Sequence, residues 1–194
     1  MTAHLNGELW IVRHGETAWS RAGKHTSRTE VPLTPAGEQA ARALGERLAG
    51  TEFDRVLTSP RERARRTAAL AGFPDAEVDP DLAEWDYGRY EGLTTERIRE
   101  SVPDWTVWTR PCPGGETALQ VAARLDRVVA RTRADGGRVL VFGHGHASRV
   151  LGVRWLGLEP EQGSLFRLDT TTLSVLGYEH DVPAVARWNA LPLP

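Results

Sequence analysis

Cysteine is almost absent from the chain: the single Cys112 in 194 residues can close no internal disulfide and can build no cysteine metal site, which fits a reducing compartment. Lysine is as scarce, with Lys24 standing alone among 24 basic residues, and the 26 acidic residues leave a net charge of −2. A basic excess that could release counterions from nucleic acid is therefore missing. No apolar run approaches the roughly 18 residues that a membrane helix needs, and the opening MTAHLNGELW has neither a charged leader nor a long apolar stretch. Repeats, low-complexity tracts and linkers are lacking too. These absences point to a cytoplasmic protein with no nucleic-acid and no membrane partner, organised as a single domain over residues 1–194.

What the chain does have is an ordinary globular composition, 40% apolar and 26% charged. At this length roughly 70% of the unfolded surface can be buried on folding, enough for a true core. The abundant arginine suits a bidentate grip on phosphate. An Arg-rich, Ala-rich composition fits a GC-rich genome equally well, so only arginines placed by a motif count.

Short apolar runs alternate with amphipathic segments. Leu9-Trp10-Ile11-Val12 predicts a buried strand that ends at a polar Arg-His-Gly. A helix is expected over about 35–49, with Thr34 as N-cap, Pro35 in the first turn and Gly50 beyond the end. Residues 55–58 predict the next strand. Ser59-Pro60-Arg61-Glu62 has the spacing of a capping box with proline at the first helical position, and Gly72 marks the stop. Residues 80–113, with Trp85, Trp105 and Trp108, read as a long excursion of short helical turns, the kind of loop that makes lids and walls. A helix follows over about 116–133, a buried strand at 139–142, a helix near 147–156, and late strands at 164–169 and 173–178. The tail after Val185 either orders over the pocket or plays no part. The alternation predicts an α/β fold: a three-layer αβα sandwich around a mainly parallel sheet.

Two of these strands end in histidine: Arg13-His14-Gly15-Glu16-Thr17 follows the first and Gly143-His144-Gly145-His146 a later one. In open parallel sheets ligands bind at the carboxyl ends of strands. The flanking glycines let the backbone approach an anion, and Arg13 beside them selects phosphate. A neutral imidazole attacks phosphorus readily and gives an adduct that water can remove, so His14 is the candidate nucleophile, kept unprotonated by the neighbouring guanidinium. Fixed positive groups must meet the transferring oxygens, and Arg13, Arg63 and His144 are the candidates. Glu84, within Leu82-Ala83-Glu84-Trp85-Asp86-Tyr87-Gly88, is flanked by large rings expected to desolvate it and raise its pKa, as a proton donor to the leaving alkoxide requires. His144 and His146 could instead be read as metal ligands, but no third ligand stands at a fitting spacing. His146 is read as supporting its loop by hydrogen bonding. No metal and no cofactor is implied.

RHGET, SPRERARRTA, LAEWDYGRYEG and the late GHGH, in this order over roughly residues 8–158, resemble the histidine phosphatase family, the phosphoglycerate mutase-like proteins. The resemblance implies that His14 is phosphorylated, that Arg13 and Arg63 bind phosphate, that Glu84 donates the proton and that His144 is the second pocket histidine. Arg61, Arg65 and Arg66 read as a solvated helix face. The stretch Gly23-Lys24-His25-Thr26 and the phrases EWDYGRYEG and FGHGHASR are most similar to the acid phosphatase and sedoheptulose-1,7-bisphosphatase branch, which implies substrate contacts from His25, Thr26, Tyr87 and Arg149. Ser20 stands where the mutase pattern usually has asparagine, and the long mutase insertions are missing. The expectation is a phosphatase acting on a small phosphorylated substrate, with a mutase or a non-catalytic phosphate-ester binding protein as alternatives and a homodimer as the expected assembly.

Overall fold

The computed structural model describes residues 7–191. In chain order the regular elements are strand β1 (Glu8–Arg13), helix α1 (Ala18–Arg21), helix α2 (Pro35–Leu48), strand β2 (Arg55–Thr58), helix α3 (Glu62–Leu70), strand β3 (Glu77–Val78), helix α4 (Thr95–Arg99), helix α5 (Ala118–Asp135), strand β4 (Arg138–Gly143), helix α6 (Gly145–Trp155), strand β5 (Leu173–Glu179) and strand β6 (Val182–Ala190). The strands form one sheet in the order β3-β2-β4-β1-β5-β6. The first four are mutually parallel, whereas β5 pairs antiparallel with β1 and β6 antiparallel with β5. Among the described residues no helix is long and apolar enough to cross a membrane.

The period of two in each strand divides the core between the two faces. In β1 and β4, Leu9, Ile11, Val139 and Val141 point to one face, where they pack with Leu125, Val128 and Val150 of α5 and α6. Val12, Leu140 and Phe142 point to the other, against Leu44 and Leu48 of α2 and Ala68 of α3. Because β1 and β4 are covered on both faces they read as continuous apolar runs, and each such side chain contributes about 1.5–3 kcal/mol on burial. The predicted αβα sandwich with a mainly parallel sheet is the fold observed.

Helix starts follow local chemistry. Thr34 and Thr117 cap α2 and α5 by accepting the Gly37 and Gln120 N–H groups, and Gln120 completes a capping box at α5. The box expected at Ser59 does not form. Helix α3 begins at Glu62 with Arg61 at the N-cap and no side-chain cap bond, so Pro60 lies outside it. Ser59 is engaged elsewhere, its hydroxyl 2.6 Å from His144 Nε2.

The strand expected at 164–169 is also absent. Pro160–Leu165 forms a 3-10 helix, with Glu159 and Gln162 closing its first turn. The second late strand is β6 instead, reached from β5 by a two-residue turn in which His180 (φ 48°) and Asp181 (φ 69°) are both left-handed, as a hairpin with matched twist requires. Most of the tail after Val185 is therefore sheet edge, and no β6 residue is among those that line the catalytic-end cleft described below; residues 192–194 lie outside the described residues. The long segment 80–113 carries two 3-10 turns and α4, and sends Trp85, Trp105 and Trp108 into the core.

Candidate active site

Parallel pairing sets Arg13 opposite Gly143 in register, so His14 and His144 leave the sheet side by side. Their rings stand 5.2 Å apart and tilted by 64°. The His14 N–H continues the ladder to the Gly143 carbonyl.

His14 is 5% exposed. Its Nδ1 lies 2.7 Å from the Gly15 carbonyl oxygen. A carbonyl only accepts, so Nδ1 carries the hydrogen and the Nε2 lone pair is left free. Burial, reinforced by the Arg63 and Arg13 guanidinium groups, holds this imidazole well below its ordinary range. The loop that carries it is braced twice. Thr67 Oγ1 accepts the Gly15 N–H at 2.9 Å while donating to the Arg63 carbonyl. Gly15 also rests on Gly37 of α2, where an added β-carbon on Gly15 would stand 2.7 Å from the Gly37 carbonyl oxygen.

Arg63 and His144 are fully buried, and neither is part of the cleft wall. The Arg63 guanidinium donates to the carbonyls of Thr26, Ser27 and Thr29, which ties the 26–29 strap down. Ser59 Oγ accepts the Arg61 N–H and its own proton has His144 Nε2 as acceptor, which assigns the His144 hydrogen to Nδ1. Burial, then Arg63 and His14, keep His144 neutral by holding its pKa well below the usual value. Around His14, three buried nitrogens have no partner among the described residues: Arg13 Nε, Arg63 Nε and His144 Nδ1. Unsatisfied buried donors cost about 1–3 kcal/mol each, and oxygens of a bound anion would satisfy them. The other end of Arg13 donates to the Leu168 carbonyl at 2.6 Å.

Glu84 is 6% exposed. Its setting differs from the bare apolar one expected from the neighbouring rings. Oε1 accepts the N–H groups of Trp85 and Ala147, both at 2.8 Å, and Oε2 that of His146 at 3.1 Å. Two of these donors belong to the first turn of α6, whose N–H groups have no partner within the helix. Arg124 of α5 anchors the segment by donating to the Asp81 and Ala83 carbonyls and pairing with Glu116.

A cleft of about 250 Å³ opens over His14, and Arg13, Glu84, Lys24, His25, Thr26, Tyr87, His146, Arg149 and Leu168 are among the residues that line it. All four residues expected to contact substrate are therefore in the wall. Burial lowers His25 to about 4, with Glu91 and Glu96 opposing. The Arg149 guanidinium lies over the Trp108 ring and donates to the Gly163 and Ser164 carbonyls. Lys24, the chain's only lysine, sits at the exposed rim with its ammonium over the Trp19 ring. Among the described residues no group of three or more His, Cys, Asp or Glu side chains could hold a metal ion. A larger hollow, of about 940 Å³, lies at the opposite end of β1 and β4 beside Glu8, Asp54 and Tyr178, and no histidine is among the residues that line it.

Sequence reasoning missed Ser59, Thr67 and Arg124, which act through residues already singled out, and it kept His146 out of the wall. The doubled histidine in Gly-His-Gly-His was the available signal for His146, because the second one lies in the first turn of the helix that the first one precedes.

A family model described as the histidine phosphatase superfamily (branch 1) matches residues 9–191. The chain is 48% identical over 185 residues to an acid phosphatase of Mycobacterium tuberculosis, covering 93% of this chain and 91% of that one. It is 38% identical over 181 residues to the sedoheptulose 1,7-bisphosphatase of Saccharomyces cerevisiae, covering 76% of this chain and 67% of the other. The solved structure of a Mycobacterium tuberculosis open reading frame superposes with a TM-score of 0.92 at 46% identity, covering 97% of this chain and 100% of that one.

Proposed function

The chain belongs to the histidine phosphatase superfamily, and from that premise we propose that it hydrolyses small phosphorylated metabolites, sugar phosphates above all, through a phosphohistidine on His14. The observation that carries the reading is the His14 Nδ1–H bond to the Gly15 carbonyl, which leaves Nε2 as a lone pair amid partnerless buried donors. The names of an acid phosphatase and a sugar bisphosphatase among its relatives support the substrate class. Cytoplasmic placement is part of the same reading, supported by a lone buried thiol at Cys112.

The substrate phosphoryl group takes its place over His14 with its oxygens on Arg13, Arg63 and His144. His14 Nε2 attacks phosphorus in line as the bond to the ester oxygen breaks, and Glu84 in its protonated form gives the leaving alkoxide a proton. Water then attacks the phosphohistidine, Glu84 takes up the water's proton, and His14 departs as a neutral imidazole. Negative charge stays on the phosphoryl oxygens in both steps, where the Arg13, Arg63 and His144 donors stabilise it. His25, Thr26, Tyr87 and Arg149 face the alcohol portion. With its pKa depressed, His14 stays nucleophilic into mildly acidic solution.

The test is phosphate release from sugar phosphates, phosphoglycerates and p-nitrophenyl phosphate in the presence of chelator. Wild type is expected to release phosphate, and His14→Ala to lose at least about 10⁴-fold in kcat. Full activity in His14→Ala overturns the reading. Interconversion of phosphoglycerates faster than release makes the protein a mutase.

A further inference from the structure

His146 opens the first turn of α6 and is part of the cleft wall. Its ring packs against Trp108 (centroids 5.3 Å apart), Tyr87 and His25 (both 5.8 Å) and Trp85 (6.5 Å). The Tyr87 hydroxyl stands 2.6 Å from its Nδ1. Tyr87 is 2% exposed, and its hydroxyl has no other hydrogen-bond partner among the described residues. Were the imidazole hydrogen on Nδ1, the phenolic proton would have no acceptor among the described residues and would be buried unsatisfied. The phenol therefore donates, Nδ1 accepts, and the imidazole hydrogen resides on Nε2. Burial, then the charge of Glu84, keeps the phenol protonated by raising its pKa well above the usual value. Enclosure, then Arg149 and His25, holds the imidazole neutral. Nε2 has no partner among the described residues and is not among the fully buried nitrogens that lack one, so it keeps access to solvent on a residue that lines the cleft.

We propose that His146 is a specificity-determining residue that donates Nε2–H to a hydroxyl or ring oxygen on the alcohol part of the substrate, with Tyr87 holding it in that tautomer. The substrate class it selects is the phosphate monoester of a polyhydroxylated alcohol, and the proposal rests on the phosphatase reading above. A neutral N–H in a wall of aromatic rings recognises a sugar hydroxyl without binding free anions, which separates its task from that of Arg13 and Arg63. Glu84 is touched through the His146 main-chain N–H only, so replacing the side chain leaves that bond available.

The experiment compares kcat/KM for fructose 6-phosphate and ribose 5-phosphate with that for p-nitrophenyl phosphate, which carries no aliphatic hydroxyl. In His146→Phe the sugar-to-aryl ratio is expected to fall about tenfold, the worth of one well-placed hydrogen bond. Tyr87→Phe should move the ratio the same way by about twofold, because the hydrogen is then shared between two tautomers. Nitrogen-15 NMR of the wild-type histidines, which needs no variant to fold, should find the His146 hydrogen on Nε2. A ratio within twofold of wild type in a folded, active His146→Phe enzyme overturns the proposal alone, as does a hydrogen found on Nδ1. A wild-type protein that releases phosphate from none of the three esters overturns the phosphatase reading and this proposal with it.

Discussion

Glu84 is held by three main-chain donors, so glutamine in its place keeps the shape of the side chain while losing the transferable proton and setting an NH₂ group against an N–H. For Glu84→Gln, kcat on alkyl phosphates is expected to fall about 10²–10⁴-fold. The loss on p-nitrophenyl phosphate should be much smaller, since that leaving group departs without a proton. Steady-state rates on both esters check this, and equal losses would assign Glu84 a purely structural part. His14 and Arg13 were legible because the strand-ending Arg-His-Gly, a weak signal alone, is followed in order by three further motifs. Ser59 and Thr67 were not: small hydroxyl residues cap helices and brace loops in many settings, and Ser59 even carries the spacing of a cap it does not make.

Among the elements, α2 matters to the site although no residue of it lines the cleft. Gly37 in its first turn touches the Glu16 main chain so closely that a β-carbon would collide with backbone. Alanine normally improves a helix by up to about 1 kcal/mol over glycine. Gly37→Ala is expected to do the reverse, costing about 1–3 kcal/mol through overpacking and lowering kcat by displacing the His14 loop. Urea unfolding and kcat together check it, and a stabilised, fully active variant would refute the contact. The covered strands β1 and β4 were readable as nearly uniform apolar runs. Strand β6 was not, because an edge strand half-exposed to solvent loses that pattern. Its turn, His180-Asp181, also lacks the glycine that usually announces a hairpin.

At the scale of the whole molecule, four histidines crowd one end of the sheet in neutral form. Burial, the first cause for each, lowers His25 to about 4 and the other three well below their usual value. In the unfolded chain each takes up a proton near pH 6.5. As pH falls below about 6.5 the unfolded state therefore binds protons that the folded state refuses, and stability falls, for His25 down to about pH 4. Tm is expected to drop by at least about 5 °C between pH 7 and pH 5 in phosphate-free buffer, measured by calorimetry. A flat profile would place these rings in contact with bulk water. The general plan, one sheet covered on both faces with its chemistry at the strand ends, was readable because alternating strands and helices admit few topologies. The cleft wall was readable in part, at His25, Thr26, Tyr87 and Arg149; Ser20, Thr95, His146 and Leu168 were not, since they come from segments far apart in sequence. Finally, the only lysine in the chain stands at the rim of that cleft. Amine-directed labelling of side chains is thus confined to one position, which gives the native protein a ready-made attachment point for a fluorophore that senses occupancy next door.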